Sequence, residues 1–409
     1  MPLEKPVFPL TKPGSMVAQC VADFGGTYAA SAVVAFLFAA SGPVAIILAV
    51  GARGGLSESD IASWIFAAFF LNSLMSIGFS IVYRQPLVFL WSIPGAVLLG
   101  PALGHLSFPE VVGAFVATGL LMLLLGLSGW VRRAMEAVPM PIVMAMVAGV
   151  FLRFGVDLVL AFRDDLWVAL PMAAAFFLLS FFPRTRIPPL IAALAAGALA
   201  VWALGTFKPP AGTLLALASP NFYVPQFSWS AMVELVVPLA VTVLAAQNAQ
   251  GIAILNANGH AAPINAITAG CGAASIVTGL FGAVSTCLTG PVNAVLSSSG
   301  EKHRQYTAAL FFCLIAMAFG LLAPFFTRLL LATPPAFIAT LAGLAMLRVL
   351  QTAFTASFKD RFSFGALVCF LVTVADVAIF RIGAPFWGLV FGLAASWLLE
   401  RGDFRKGRS

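Results

Sequence analysis

Long apolar stretches dominate the chain, and each is bounded by charged residues, proline or glycine. A helix needs about 20 apolar residues to cross the roughly 30 Å hydrocarbon layer of a bilayer. Stretches of this length predict fourteen membrane-spanning segments, of which the third and the tenth are short and interrupted. The segments are predicted at residues 28–50, 61–82, 86–104, 109–129, 139–161, 166–182 and 188–205, and at 231–256, 263–283, 285–299, 306–330, 335–352, 362–380 and 383–399.

Composition agrees with a membrane protein and excludes an ordinary soluble enzyme. Of the 409 residues, 61% are hydrophobic and 9% are charged, whereas soluble proteins carry about 25% charged residues. The positive charges are scattered in twos and threes, so no basic stripe indicates a nucleic-acid partner. Five cysteines without CxxC spacing and three histidines near segment ends predict neither a metal site nor a cofactor. Residues 1–27 lack the compact apolar stretch of a cleavable signal peptide.

The positively charged residues predict the orientation. An even number of segments places both termini on one side, and that side would carry sixteen of the 22 Lys and Arg residues. The positive-inside rule then predicts cytoplasmic ends at 1–27 and 401–409, with 208–230 as an external linker. The sixteen are Lys5, Lys12, Arg84, Arg132, Arg133, Arg184, Arg186, Lys302, Arg304, Arg348, Lys359, Arg361, Arg401, Arg405, Lys406 and Arg408, against Arg53, Arg153, Arg163, Lys208, Arg328 and Arg381 outside.

The two halves of the chain, residues 28–207 and 231–400, resemble each other at an offset of 194–197 residues. Seven segments per half is an odd number, so the two copies must be inverted in the membrane. Inverted repeats are typical of secondary transporters, which bind substrate near the membrane midplane between broken helices. The matching pairs include Pro94 with Pro291, Pro141 with Pro335, Gly149 with Gly343, Pro189 with Pro385 and Trp202 with Trp397.

The third and tenth segments each predict a short extended stretch that leads into a half-helix. Ser92 before Pro94, and Thr289 before Pro291, are helix-start signals. Such backbone cannot face lipid, and two half-helix N-termini at one cavity would form an anion site. The alternative is that each proline only kinks a packed helix. The candidate binding residues are Trp91, Ser92, Ile93, Pro94, Gly95, Thr286, Cys287, Thr289, Gly290 and Asn293.

Further polar residues interrupt the eighth and first segments. Gln247, Asn248 and Gln250 place three amides in an otherwise apolar helix, and Ser41 lies in the first segment. Polar side chains at this depth usually face the interior of the bundle or the substrate path. We therefore expect Gln247, Asn248 and Ser41 to contact the substrate, with interhelical hydrogen bonding as the alternative. Trp91 is the candidate to stack on an aromatic substrate.

Three carboxylates at membrane depth are candidates for proton coupling: Asp157, Glu234 and Asp376. Asp157 follows Arg153 by four residues on the fifth segment, which predicts an ion pair between them. The alternative is a structural role, because all three lie towards the outer ends of their segments, where interfacial water could solvate them.

Three motifs resemble the benzoate:proton symporter (BenE) family of bacterial inner membranes: Trp91–Ala96, Gln247-Asn248 with Asn256–Gly259, and Thr289–Ala294. The resemblance covers the chain from the first segment to the last. It implies an all-α polytopic fold with a seven-plus-seven inverted repeat (UraA-like), shared with nucleobase:cation symporters and sulfate-type anion transporters. It also implies an elevator motion and a homodimer. The implied core domain is 28–130 plus 231–330, and the implied gate domain is 138–205 plus 335–400.

The chain departs from the nucleobase branch at Gln247 and Val292, where that branch carries acidic residues. A benzoate-like substrate brings its own carboxylate, so amides and helix dipoles suit it better than acidic side chains. We therefore expect proton-driven import of benzoate or a similar aromatic carboxylate, without covalent chemistry. The alternatives are a nucleobase symporter and an inorganic-anion carrier of the same fold. A membrane-embedded enzyme is disfavoured, because no motif such as HExxH is present.

Overall fold

The computed structural model describes residues 3–6, 13–131, 133, 139–181, 188–209, 215–298, 300–380 and 382–406. Most of these residues are helical, and two three-residue strands pair with each other. Part of the orientation argument cannot be placed on the structure. The positively charged residues outside the described ranges are Lys12, Arg132, Arg184, Arg186, Arg381 and Arg408.

The helices and strands follow the order of the predicted segments. In the first half they are α1 (Pro13–Asp23), α2 (Gly26–Ala40), α3 (Gly42–Arg53), α4 (Glu58–Tyr83), β1 (Phe89–Trp91), α5 (Ile93–Ala102), α6 (Phe108–Ser128), α7 (Met140–Asp164), α8 (Leu166–Phe181) and α9 (Pro189–Leu204). In the second half they are α10 (Trp229–Ala257), α11 (Ile264–Gly279), β2 (Thr286–Leu288), α12 (Gly290–Leu296), α13 (Tyr306–Leu321), α14 (Ala323–Leu331), α15 (Pro335–Phe358), α16 (Ser363–Ala375), α17 (Ala384–Leu399) and α18 (Arg401–Lys406).

Seven helical stretches in the described chain are long and apolar enough to cross a membrane, and six further apolar helices are shorter. The chain is therefore polytopic. The number of fourteen spans and the inverted repeat stay predictions. Cys271, Cys287, Cys313 and Cys369 are buried.

Local sequence signals explain where several helices begin. Capping boxes start α4 and α6, where Ser57 with Asp60, and Ser107 with Glu110, satisfy the first free backbone N–H groups. Prolines lie in the first turn of α3, α5, α7, α9, α12, α15 and α17, where a missing N–H costs no hydrogen bond.

The first predicted segment is two helices rather than one. The break falls at Ser41, whose Oγ donates to the carbonyl of Phe38 at 3.1 Å. The next residue, Gly42, packs directly against Ala345 of α15, and a side chain at this position would overlap that residue. The break therefore brings the start of α3 into close contact with α15.

The helices pack as two bundles. In the first bundle, made of α2–α6 and α10–α13, α6 packs along α11, and α13 packs against α2 and α4. In the second bundle, made of α7–α9 and α15–α17, α7 packs along α15, α16 packs against α17, and α8 packs against α9. Contacts between α3 and α15 join the two bundles. Whether the bundles act as core and gate domains stays a prediction.

Candidate substrate-binding site

The two broken segments meet as an antiparallel pair of strands inside the first bundle. Leu90 of β1 lies opposite Cys287 of β2. Two further backbone hydrogen bonds extend the pairing, from Ser92 N–H to Ser285 (2.9 Å) and from Thr289 N–H to Val88 (3.2 Å). All six strand residues are buried. Pairing therefore satisfies the irregular backbone that could not face lipid.

A short helix follows each strand, as the sequence predicted. Ser92 caps α5, because its Oγ accepts a hydrogen bond from Gly95 N–H at 3.1 Å. Thr289 precedes α12 in the same way, but its side chain makes no capping hydrogen bond. Gly290 has Gln250 directly beside it, and a side chain there would overlap the Gln250 amide. Ser92, Gly95 and Gly290 thus shape the turns into the helices.

Two asparagines predicted to bind substrate hold the strands. The side chain of Asn293 accepts from Val88 N–H and donates to Val88 C=O, both at 3.0 Å. Asn248, at the end of a π-helical turn in α10, accepts from Leu288 N–H at 2.8 Å. Both asparagines are completely buried. Their side-chain amides form hydrogen bonds with the backbone and so fix the strands beside the site.

Other predicted residues also have partners within the protein. Thr286 donates to the side chain of Asn72 at 2.8 Å. The thiol of Cys287 lies 3.8 Å from the Gln247 side-chain oxygen. These contacts link β2 to α4 and α10, so both side chains stabilise the strand pair.

A cavity of about 1000 Å³ lies between the strand–helix junctions and the second bundle. Five of the thirteen predicted binding residues line it: Trp91, Ile93, Pro94, Gln247 and Thr289. The other eight do not: Ser41, Ser92, Gly95, Asn248, Thr286, Cys287, Gly290 and Asn293. The second bundle supplies the facing wall, which includes Met140, Met144, Phe176, Leu344, Arg348 and Thr352.

Trp91 is more enclosed than a stacking platform would be. Only 3% of its surface is exposed, and its ring packs against Phe69 with 5.0 Å between the ring centroids. The side chain borders the cavity, but little of its face is available to a second ring in this conformation.

The sequence interpretation missed Arg348, the one cation among the described residues that line the cavity. The sequence predicts it only as a cytoplasmic charge near the end of the twelfth segment. In the structure it lies on α15 four residues after Leu344 and four before Thr352, and all three line the cavity. Spacing by four places side chains on one helix face. The sequence shows the spacing by four, but it does not show that this face of α15 points towards the cavity.

The three candidate carboxylates take different positions. The predicted pair of Asp157 with Arg153 is wrong, because Asp157 binds Arg53 at the end of α3, 2.5 Å away. Arg153 lies instead 4.0 Å from Asp376. The expectation that interfacial water could solvate Glu234 is also wrong. Glu234 is 4% exposed, and its Oε2 lies 2.9 Å from Nε2 of His105.

Comparison with known families gives a match over most of the chain. The family model BenE, described as "Benzoate membrane transport protein", matches residues 24–398.

Two curated relatives match at similar levels. The inner membrane protein YdcO of Escherichia coli (strain K12) is 30% identical over 373 residues, which cover 88% of this chain and 92% of the relative. The benzoate membrane transport protein of Acinetobacter baylyi (strain ATCC 33305 / BD413 / ADP1) is 28% identical over 373 residues, covering 89% and 93%.

Solved structures are similar in fold at low sequence identity. The transmembrane domain of the cyanobacterial bicarbonate transporter BicA aligns with a TM-score of 0.62 at 15% identity, covering 90% of this chain and 96% of that domain. The murine anion transporter Slc26a9 in its inward-facing state aligns with a TM-score of 0.64 at 13% identity, covering 97% and 73%. These likenesses show a mostly helical, polytopic membrane fold.

Proposed function

Because the chain belongs to the BenE family of benzoate membrane transport proteins, we propose that this multi-pass membrane transporter imports benzoate or a similar aromatic carboxylate. Import is secondary active and driven by protons. The protein lies in the bacterial inner membrane, with both termini in the cytoplasm. Asp157, Glu234 and Asp376 are the candidates for proton coupling.

The chemistry of the cavity carries this proposal. Its walls are mostly apolar, and Phe38, Phe176 and Met144 offer surfaces for a substrate ring. Arg348 supplies a guanidinium, which suits the planar geometry of a carboxylate. The amides of Gln247 and Gln250 add hydrogen-bond donors. No Asp or Glu is among the described residues lining the cavity, so a carboxylate substrate meets no charge of its own sign.

The position of the cavity suggests the conformation. It is bordered by Met140 at the start of α7, Pro189 at the start of α9 and Thr352 near the end of α15. The predicted orientation places these three helix ends on the cytoplasmic side. The volume of about 1000 Å³ is at the upper end of the ~300–1000 Å³ usual for small-molecule sites. Both observations support an inward-open state of an elevator cycle, in which the first bundle moves along the second.

We further propose a homodimer that forms through the second bundle. Its α8 and α9 expose large apolar side chains, including Phe177, Leu199 and Trp202. In a bilayer these side chains contact either lipid or a second subunit. Light scattering on the purified protein distinguishes the two, because a dimer doubles the protein mass.

Uptake by proteoliposomes tests the proposed transport. The purified protein in liposomes should accumulate labelled benzoate above its external concentration when the lumen is alkaline. A protonophore should abolish the accumulation, and liposomes without protein provide the control. Uracil, xanthine, sulfate and bicarbonate are tested in parallel. Robust uracil or xanthine uptake without benzoate uptake would identify the protein as a nucleobase symporter. Uptake of only sulfate or bicarbonate would identify it as an inorganic-anion carrier.

A further inference from the structure

Two carboxylates join the bundles on the side away from the cavity. The first is Asp157 of α7, which binds Arg53 of α3. Met140, which lines the cavity, lies seventeen residues earlier on α7, or about 26 Å along the helix at 1.5 Å per residue. The contact between Asp157 and Arg53 therefore lies on the opposite side of the protein.

The second carboxylate, Glu234, is buried where three elements meet. It lies on α10 in the first bundle and contacts His105 in the turn after α5 of the same bundle. The backbone of Gly383 lies directly beside the Glu234 carboxylate. Gly383 is the N-cap of α17, a helix of 16 residues in the second bundle. Glu234 is thus a side chain of one bundle held by the backbone of the other.

This contact is stronger when Glu234 is ionised. The N-terminus of a helix carries a partial positive charge and free N–H groups, so it stabilises an ionised carboxylate. The fit is also close, because a side chain on Gly383 would overlap the carboxylate of Glu234. Neutralising Glu234 weakens its interaction with the helix and with the imidazole of His105.

We propose that Glu234, held by His105 and Gly383, is a lock that keeps the outer side of the transporter shut and that opens when the carboxylate takes up a proton. This inference rests on the proposed alternating access. His105 is one-third exposed, which gives outer protons a path to the buried carboxylate. One proton from outer water neutralises Glu234 and α17 separates from α10. The proton returns to outer water past His105 when the contact forms again.

Other charged groups near the lock are accounted for. Asp376, at the end of α16, interacts electrostatically with Glu234 and lies 4.0 Å from Arg153. Glu110, at the start of α6, is bonded to Ser107. Arg381 is outside the described residues. Among the described groups His105 bonds to the carboxylate of Glu234 and the backbone of Gly383 lies against it, so neutralising Glu234 alone should release α17.

Distance measurements between spin labels test the lock without any substrate. The labels are placed by Gln226→Cys and Asp164→Cys, two exposed positions in the external linker and at the end of α7, in a Cys20→Ser background. Wild type in nanodiscs should show one distance at neutral pH and a second, longer population on acidification. Glu234→Gln should show the longer population already at neutral pH. Glu110→Gln, the matched control, should behave as wild type.

A second variant tests the lock without altering the carboxylate. Gly383→Ala crowds Glu234, and the backbone of Gly383 (φ −66°) accepts alanine without strain. It should also shift the distances towards the longer population at neutral pH. Unchanged distances in both variants overturn the proposal, as does an acid response in Glu234→Gln as large as in wild type. Failure of benzoate uptake would count against the proposed substrate and leave these distances unaffected.

Discussion

Asn293 and Val88 form a two-point connection between the broken segments of the two halves. The Asn293 side chain accepts from the Val88 N–H and donates to its C=O, each over 3.0 Å. The residues are 205 positions apart in the chain. An amide is the side-chain group that matches one backbone donor and one backbone acceptor at once, so asparagine serves here as a substitute for a further strand residue.

Loss of the two hydrogen bonds between Asn293 and Val88 should destabilise the protein. Asn293→Ala leaves both polar groups of Val88 without their partners, which we expect to lower the free energy of unfolding by about 2–4 kcal/mol. Thermal unfolding in detergent measures the change. Ser298→Ala, which removes an exposed hydroxyl just after the same helix, is the control. If Asn293→Ala kept full stability and lost only benzoate affinity, Asn293 would be a substrate ligand after all.

Arg348 should determine the preference for a negatively charged substrate. Arg348→Gln removes the cation from the cavity, and we expect benzoate affinity to fall about tenfold or more, as for the loss of a charge-assisted hydrogen bond. Affinity for the neutral analogue benzamide should change little. Calorimetric titration of the purified protein measures both ligands. Lys359→Gln makes the same charge change outside the cavity, and an equal loss of affinity there would indicate a general electrostatic effect.

His260 should make stability depend on pH. It lies between α10 and α11, is buried and contacts Gln305 at 2.7 Å. Burial lowers the pKa of His260 below its usual value of 6.5, Gln305 opposes the shift, and Lys302 adds to it. The unfolded chain therefore takes up this proton first on acidification, so the stabilising contribution is complete above pH 6.5 and declines below it.

His260→Gln should reduce the fall in melting temperature between neutral and acidic buffer, because glutamine does not titrate. The exposed His303 provides the comparison, and His303→Gln should leave the acid response unchanged. Equal effects of the two substitutions would show that burial of His260 is not the cause.

Tyr223 should anchor the linker between the two halves of the chain. Its hydroxyl donates to Asp60 at the start of α4, and Asn221 donates to the same oxygen at 3.1 Å. Burial, together with the hydrogen bond to Asp60, raises the pKa of Tyr223, so the hydroxyl keeps its proton. Tyr223→Phe should cost about 1.5–3 kcal/mol, as for a hydrogen bond to a charged group. Protease should cleave the linker faster in this variant, while Phe227→Leu at an exposed position should leave the cleavage rate unchanged.

The breaks in the third and tenth segments could be predicted because proline and glycine act locally on the backbone. Ser92 before Pro94, and Thr289 before Pro291, are local helix-start signals. The two helices begin directly after Ser92 and Thr289. Pairing between side chains far apart in sequence could not be predicted. Asp157 had a plausible partner four residues away, yet the end of α3 brings Arg53 closer. Local spacing cannot decide between such partners.

The different positions of Gln247 and Asn248 could not be predicted from the sequence either. Gln247 faces the cavity while its neighbour Asn248 bonds to the backbone of β2. Both side chains are amides, and they are adjacent in the sequence at nearly the same depth in the membrane, so neither residue type nor depth distinguishes them. The two side chains differ only in the direction in which they leave α10, and that direction depends on the π-helical turn ending at Asn248.

The antiparallel strand pair also has a consequence for how the protein is made. Phe89 finds its partner in Leu288, which the ribosome adds about 200 residues later, or roughly 10–40 s at 5–20 residues per second. During this interval the edge of β1 has no partner strand in an environment without water. The nascent first half should therefore remain with the insertion machinery until the second half is synthesised. If the two halves are expressed from separate genes, each should accumulate in the membrane only when the other is also expressed.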